Sequence, residues 1–128
     1  MSILEDPKYS YLIGKQSIFF RFWKKIFYYY CNTVFSFYTP VKINGRENLP
    51  LESAIFCSNH NSHMDVALIS SAAGKSFNHF GMLAAIDYWF DSRIKKILTN
   101  FVMNLIPIAR KTSAKDGSIS FQDTIALC

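Results

Sequence analysis

The chain has 128 residues, half of them hydrophobic and 16% aromatic, which is enough apolar material for the core of one small domain. Fourteen lysines and arginines against nine acidic residues give a net charge of +5, so we expect an anionic partner such as a membrane surface, a phosphorylated lipid or nucleic acid. Cys31, Cys57 and Cys128 are odd in number and form no C-x-x-C pair, which argues against a disulfide framework and indicates free thiols in a reducing compartment.

An amphipathic helix is predicted from Ser17 to Tyr38, after an N-terminal stretch that lacks the pattern of a cleaved signal peptide. Its apolar positions recur at helical spacing: Phe19, Phe22, Trp23, Ile26, Tyr30, Val34 and Phe37. Arg21, Lys24 and Lys25 fall on the other side. The uncharged stretch that follows is shorter than the ~20 residues that a membrane-spanning helix needs.

Three partners are conceivable for this helix. Its basic start and aromatic body fit a helix lying in a membrane interface, and they fit a helix that packs on the protein's own core equally well. Nucleic acid is disfavoured, because the sequence has neither an RNP-like motif nor zinc-finger spacing. The change in composition divides the chain into an aromatic, basic segment at residues 1–40 and a second region at residues 41–128.

The second region begins with alternating signals for strands and helices. Val41 to Ile43 is predicted to be a short strand closed by an Asn44-Gly45 turn, where glycine permits a positive φ. Ala54 to Cys57 is predicted to be a buried parallel strand, and a helix is predicted from Val66 to Ala73, stopped by Gly74.

Between that strand and that helix lies the polar run Ser58-Asn59-His60-Asn61-Ser62-His63-Met64-Asp65. His60 in the turn and Asp65 in the first helical turn could meet, so that the carboxylate orients the imidazole while its other nitrogen takes a proton. A substrate hydroxyl would then stand where a Ser-His-Asp triad has its serine. Ser62-x-x-Asp65 is also a capping box, which needs no catalytic role. A metal site using His63 is disfavoured by the spacing.

The remaining chain predicts further alternation. We expect a strand over 78–84, a helix from Ser92 to Asn104, a strand from Leu105 to Arg110 and a last helix from Ile119 to Leu127. Tyr88, Trp89 and Phe90 either line an apolar groove or belong to the core. The predicted fold class is α/β, a mostly parallel sheet flanked by helices and preceded by the N-terminal amphipathic helix.

Three segments resemble the glycerolipid acyltransferases, the family of the 1-acylglycerol-3-phosphate acyltransferases. Asn59-His60-Asn61-Ser62-His63-Met64-Asp65 resembles their N-H-x-x-x-x-D block, and Leu105 to Arg110 resembles their second block. The segment from Val41 to Pro50 is similar to the lead-in to the first block. The resemblance implies that His60 is the general base, that Asp65 orients it, that Asn59 and Ser62 contact the substrate and that Arg110 binds the acceptor's phosphate.

The resemblance also implies a reaction. A fatty acyl group would pass from a thioester, acyl-CoA or acyl-ACP, to the free hydroxyl of a lysophospholipid, with no other cofactor, no metal and no acyl-enzyme. The partners would be that membrane lipid and the acyl donor, without nucleic acid, at the cytoplasmic face of a membrane. Because the acceptors and products of the family are membrane lipids, the resemblance also favours a membrane-associating role for residues 1–40.

Two later blocks of the family are missing from this sequence, a Phe-Pro-Glu-Gly-Thr-Arg run and a Val/Ile-Pro block. We therefore expect a truncated chain that carries the front half of such a domain. The alternatives are a non-catalytic membrane-bound fragment or interaction module, and a metal-dependent hydrolase.

Overall fold

The computed structural model describes residues 7–59, 61–109 and 121–127. Its helices are α1 (Ser10–Ile13), α2 (Ile18–Phe37), α3 (Asp65–Ala73), α4 (Ile86–Trp89), α5 (Arg93–Val102) and α6 (Phe121–Ala126). Its strands are β1 (Gly81–Ala85) and β2 (Asn104–Ile108). Single turns of 3₁₀ helix occur at Pro7–Tyr9, Arg46–Asn48 and Phe77–His79. None of the helices in these ranges is long and apolar enough to cross a membrane.

The two strands are parallel, with Gly81 opposite Asn104 and Ala85 opposite Ile108, and α4 and α5 form the connection between them. This is the β-α-β arrangement of an α/β fold, so the predicted class is confirmed at that level. α6 packs on β2, where the Thr124 hydroxyl donates to the Pro107 carbonyl at 3.1 Å.

The sheet is smaller than predicted. Val41 to Ile43 and Ala54 to Cys57 have no regular structure, so both strand predictions are wrong, and Ile55 is 90% exposed. A strand is stabilised by a neighbouring strand that takes its backbone hydrogen bonds. Among the residues that the structure describes, only β1 and β2 form such a pair.

Helix α2 confirms the predicted bounds within one residue, and Ser17 caps its start by accepting from the Phe19 amide. The side that packs inward is not the predicted apolar one. It consists of residues four or three apart, Phe20, Lys24, Phe27, Cys31 and Phe35, which are buried or half-buried. The predicted apolar positions Phe19, Phe22 and Phe37 are exposed. α2 therefore has two apolar sides, of which its own protein covers one.

Two apolar clusters hold the elements together. One joins α2 to α3 and to the turn before β1, with Cys31, Phe35, Ala67 and Phe77 at its centre. The other lies under the sheet and contains Tyr9, Ala84, Phe90 and Leu105. The predicted alternative that Phe90 belongs to the core is confirmed, since its ring centroid lies 5.9 Å from that of Tyr9.

The C-terminal end of α3 is tied to the segment before the motif. Gly74 adopts a φ of +66° and ends the helix, as its position predicted, and Gly45 has a φ of +78°. The Arg46 side chain donates to the carbonyls of Ser71 and Ala72, each at 2.8 Å. A guanidinium at the last carbonyls of a helix also complements its dipole. Arg46 thereby connects residues 41–50 to the helix that begins at Asp65.

A buried polar network crosses from α2 to α5 and β2. Lys24, fully buried, donates to Gln16 and to Asn100. Gln16 donates to Asn104 at 2.6 Å, and Asn104 donates to the Phe80 carbonyl at 2.9 Å. Burial lowers the pKa of Lys24 to about 8. The sequence placed Lys24 on a solvated side, and this is wrong because amide side chains from distant positions receive its ammonium.

This network predicts how stability depends on pH. Between pH 8 and 10.5 the unfolded chain holds the Lys24 proton more tightly than the folded chain, so the free energy of unfolding should rise with pH over that window. The expected contribution is about 1–3 kcal/mol, smaller where water reaches the ammonium. Burial raises the pKa of Tyr11 to about 12, and it also raises the pKa of the Cys31 thiol. Both groups therefore lower the free energy of unfolding as the pH rises, opposite to Lys24.

Lys24→Met isolates the contribution of the lysine: it also removes the hydrogen bonds to Gln16 and Asn100, but the ammonium is the only ionisable group that it removes. Urea unfolding from pH 7 to 10.5 should give a stability difference, wild type minus variant, that grows with pH. A difference independent of pH would contradict the prediction.

Candidate active site

The polar run before α3 folds into a compact turn. The Ser62 hydroxyl accepts from the Met64 amide at 3.1 Å, and Asp65 Oδ2 accepts from the Ser62 amide at 2.9 Å. These reciprocal bonds have the form of a capping box, except that the amide donating to the hydroxyl belongs to Met64, one residue earlier than usual. The Ser62 and Asp65 pairing that the sequence indicated is therefore present at the head of the helix.

Asp65 does more than cap the helix. Its Oδ2 also accepts from the Asn61 amide at 2.7 Å, so the backbone of the two residues after position 60 is hydrogen-bonded to the carboxylate. Hydrogen bonds from amides to an ionised carboxylate are strong and directional. These bonds fix the orientation of the Asp65 side chain.

The structure describes three of the five predicted site residues. His60 and Arg110 lie outside the described residues. Asn59 is exposed in a segment without regular structure, and Ser62 is exposed in the turn. Asp65 is half-buried at the first position of α3.

Backbone amides at a helix start can stabilise the oxyanion of a reaction intermediate. In the structure the amides of Asn61 and Ser62 donate to Asp65 instead. These two amides therefore hold the carboxylate and are not presented to a ligand.

A contact that the sequence did not predict joins the motif to α4. The His63 ring centroid lies 5.6 Å from the Trp89 ring and 6.5 Å from the Tyr88 ring. Lys95 of α5 contacts Tyr88 in two ways. Its ammonium donates to the Tyr88 carbonyl at 3.1 Å and lies 5.0 Å from the Tyr88 ring centroid. No local pattern in the sequence predicts this contact, because His63 and Trp89 are 26 positions apart.

This contact locates the motif in the fold. α4 begins at Ile86, directly after β1 ends at Ala85, so Tyr88 and Trp89 lie beyond the carboxyl end of that strand. Parallel strands end at the same edge, and β2 ends there at Ile108, two positions before Arg110. The turn that holds Asp65 therefore lies at the carboxyl edge of the sheet, which is where open α/β folds bind ligands.

Histidine, cysteine and carboxylate side chains nowhere gather in a group of three or more within the ranges that the structure covers. The exposed His79 lies in the 3₁₀ turn before β1.

Comparison with known proteins gives the family. The family described as Acyltransferase has a sequence model that matches residues 40–125, more than half of the chain. Comparisons with curated proteins and with solved structures found no match. The matched range contains the polar run, α3 and both strands, and it leaves out most of the aromatic N-terminal segment. The chain therefore belongs to the acyltransferase family, and by that membership to enzymes that transfer acyl groups.

Proposed function

We propose that the chain transfers a fatty acyl group from acyl-CoA or acyl-ACP to the free hydroxyl of a lysophospholipid, 1-acylglycerol 3-phosphate, in phospholipid biosynthesis. The observation that supports this most strongly is the turn at the carboxyl edge of the sheet, in which the Asp65 carboxylate is held by the two amides that follow His60. A fixed carboxylate beside a histidine position is the arrangement that general-base catalysis on an alcohol requires.

In the proposed reaction, His60 takes the proton of the acceptor hydroxyl while Asp65 keeps the imidazole in the required tautomer. The hydroxyl oxygen attacks the thioester carbonyl, and a new C–O bond forms. The C–S bond then breaks, and His60 returns its proton to the departing thiolate. The products are the ester and a free thiol, with no covalent bond to the protein at any stage.

Recognition of the acceptor is assigned to residues around this turn. Arg110, two positions after β2, binds the acceptor's phosphate, because a guanidinium forms two parallel hydrogen bonds with phosphate oxygens. Asn59 and Ser62 contact the substrate from the motif side. The reaction needs neither a metal nor a cofactor beyond the acyl donor.

The acceptor and the product are membrane lipids, so we place the protein at the cytoplasmic face of a membrane. Helix α2 supports this through the apolar side that its own protein leaves uncovered, at Phe19, Phe22 and Trp23. Aromatic side chains of this kind are favoured at the boundary between head groups and acyl chains.

The test is acyl transfer to 1-acylglycerol 3-phosphate in detergent micelles, with the ester product quantified by mass spectrometry. His60→Ala should lower the rate by about 10²–10⁴-fold, the usual contribution of a general base. His79→Ala, the same substitution at an exposed histidine away from the motif, should keep the wild-type rate. Equal rates in wild type and His60→Ala, or an acyl-enzyme that accumulates, would refute the mechanism. An inactive wild type would favour the alternative, a non-catalytic membrane-bound module.

A further inference from the structure

Helix α5 presents its apolar side outward. Its sequence combines apolar and basic residues, and in a water-soluble domain the apolar ones are expected to pack inward. Instead, Ile94 is 69% exposed and Leu98 is 60% exposed, and Ile97 is exposed as well. Lys95 and Lys96 are half-buried: Lys95 forms a partly exposed pair with Asp91 at 3.0 Å, and the Lys96 ammonium lies 5.7 Å from the Tyr9 ring centroid.

The outward side of α5 continues onto α2. The Phe101 ring centroid lies 5.7 Å from that of Phe19 and 6.4 Å from that of Trp23. Phe101 also follows Leu98 and Ile97 by one helical turn, so it lies on their side of α5. We call the resulting patch the α2–α5 surface. It consists of Phe19, Phe22, Trp23, Ile26, Ile94, Ile97 and Leu98.

Positive charge borders this surface on both helices. Arg21 and Lys25 are exposed on α2, where with Ile18 and Phe22 they line an open groove of about 200 Å³. Arg93 is exposed at the start of α5, beside Ile97 in a cavity of about 250 Å³. The sequences of α2 and α5 contain no aspartate or glutamate. A surface that is apolar at its centre, cationic at its border and free of carboxylates complements an anionic lipid bilayer.

We propose that α2 and α5 dock together on an anionic bilayer, with Ile94, Ile97 and Leu98 of α5 entering the boundary between head groups and acyl chains. This deepens the proposed function, on which it rests only in that the acceptor is a membrane lipid. Arg21, Lys25 and Arg93 contact lipid phosphates at the border of the surface. Because β2 follows α5 directly, docking brings the strand that leads to Arg110 close to the lipid.

The test is flotation of the full chain with two kinds of vesicle, one of phosphatidylcholine alone and one that also contains about 30% phosphatidylglycerol. Ile94→Asp/Leu98→Asp should lower the partition onto anionic vesicles by about tenfold or more, since charges replace two aliphatic side chains that enter the bilayer in the proposed complex. The matched control is Leu51→Asp/Ile55→Asp, the same change at two exposed aliphatic residues outside the surface, which should bind like the wild type. Circular dichroism confirms that each variant is folded.

A second measurement does not depend on how those variants fold. In the wild type, brominated lipid in anionic vesicles should quench the fluorescence of Trp23, and Trp23→Phe should abolish that component. Vesicle binding by Ile94→Asp/Leu98→Asp at the wild-type level would overturn the proposal, and so would the absence of Trp23 quenching. The proposal would also be overturned if the wild type formed a dimer that does not bind vesicles and if the double variant were a monomer. The last result would assign the surface to a second copy of the chain.

These outcomes separate docking from catalysis. Acyl transfer in detergent micelles without vesicle binding would overturn the docking proposal alone. Vesicle binding without acyl transfer in micelles would overturn the proposed function alone.

Discussion

Asp65→Asn is expected to lower acyl transfer by about 10³–10⁴-fold while the chain stays folded. The asparagine Oδ1 can take the place of Oδ2 and accept from the amides of Asn61 and Ser62, so the turn is preserved. The other end of the side chain then carries an amide NH₂, which donates where a carboxylate oxygen accepts. An imidazole N–H in the proposed site would lose its acceptor, and the charged imidazole would lose its counter-charge.

The rate should be measured with saturating acyl donor, with the chain's circular dichroism recorded in parallel. Asp87→Asn is the matched control, because it makes the same change at a carboxylate in the first turn of α4. We expect that variant to retain the wild-type rate. If Asp65→Asn transferred acyl groups as fast as the wild type, Asp65 would be only a helix cap and the mechanism would be wrong.

Phe77→Ala is expected to destabilise the protein by about 3–5 kcal/mol, the range for deleting a buried aromatic ring. Phe77 is 1% exposed, and its ring centroid lies 5.3 Å from that of Phe27. It contributes to the cluster that holds α2 against α3. Because small domains have a total stability of roughly 5–15 kcal/mol, this one substitution should remove a large share of it.

Equilibrium urea unfolding followed by circular dichroism measures this loss. Phe37→Ala deletes the same ring from a position that is 85% exposed, and it should change the free energy of unfolding by less than about 0.5 kcal/mol. A similar effect of the two substitutions would mean that the cluster around Phe77 is not the support described here.

The helices were predictable because their signals are local. The bounds of α2, α3 and α5 follow from hydrophobic spacing together with residues that begin or end a helix, such as Ser17 and Gly74. The observed bounds agree with the predicted ones within two residues at each end. The strand predictions at 41–43 and 54–57 failed because an apolar run becomes a strand only beside a partner. That partner is a property of the whole fold.

Which side of a helix faces inward was less predictable than the helix itself. In α2 the inward side contains Lys24, whose burial depends on Gln16 and Asn100 being brought to it by other elements. In α5, Lys95 and Lys96 are half-buried because Asp91 and the rings of Tyr88 and Tyr9 lie beside them. Spacing along one helix carries no information about such partners.

The candidate site was predictable in part. The pairing of Ser62 with Asp65 is encoded within four residues, and it is present. The packing of His63 on Trp89 depends on the position of α4 beyond β1, which no local pattern specifies. His60 and Arg110 lie outside the described residues, so their roles stay predictions.

The proline in β2 affects whether strands of separate molecules can pair with each other. Pro107 has no N–H, and its carbonyl is already occupied by the buried Thr124 hydroxyl of α6. An incoming strand from another molecule would therefore meet no donor at this position and a carbonyl that already accepts one hydrogen bond. Intermolecular strand addition, the first step of many aggregation pathways, is thereby disfavoured at Pro107.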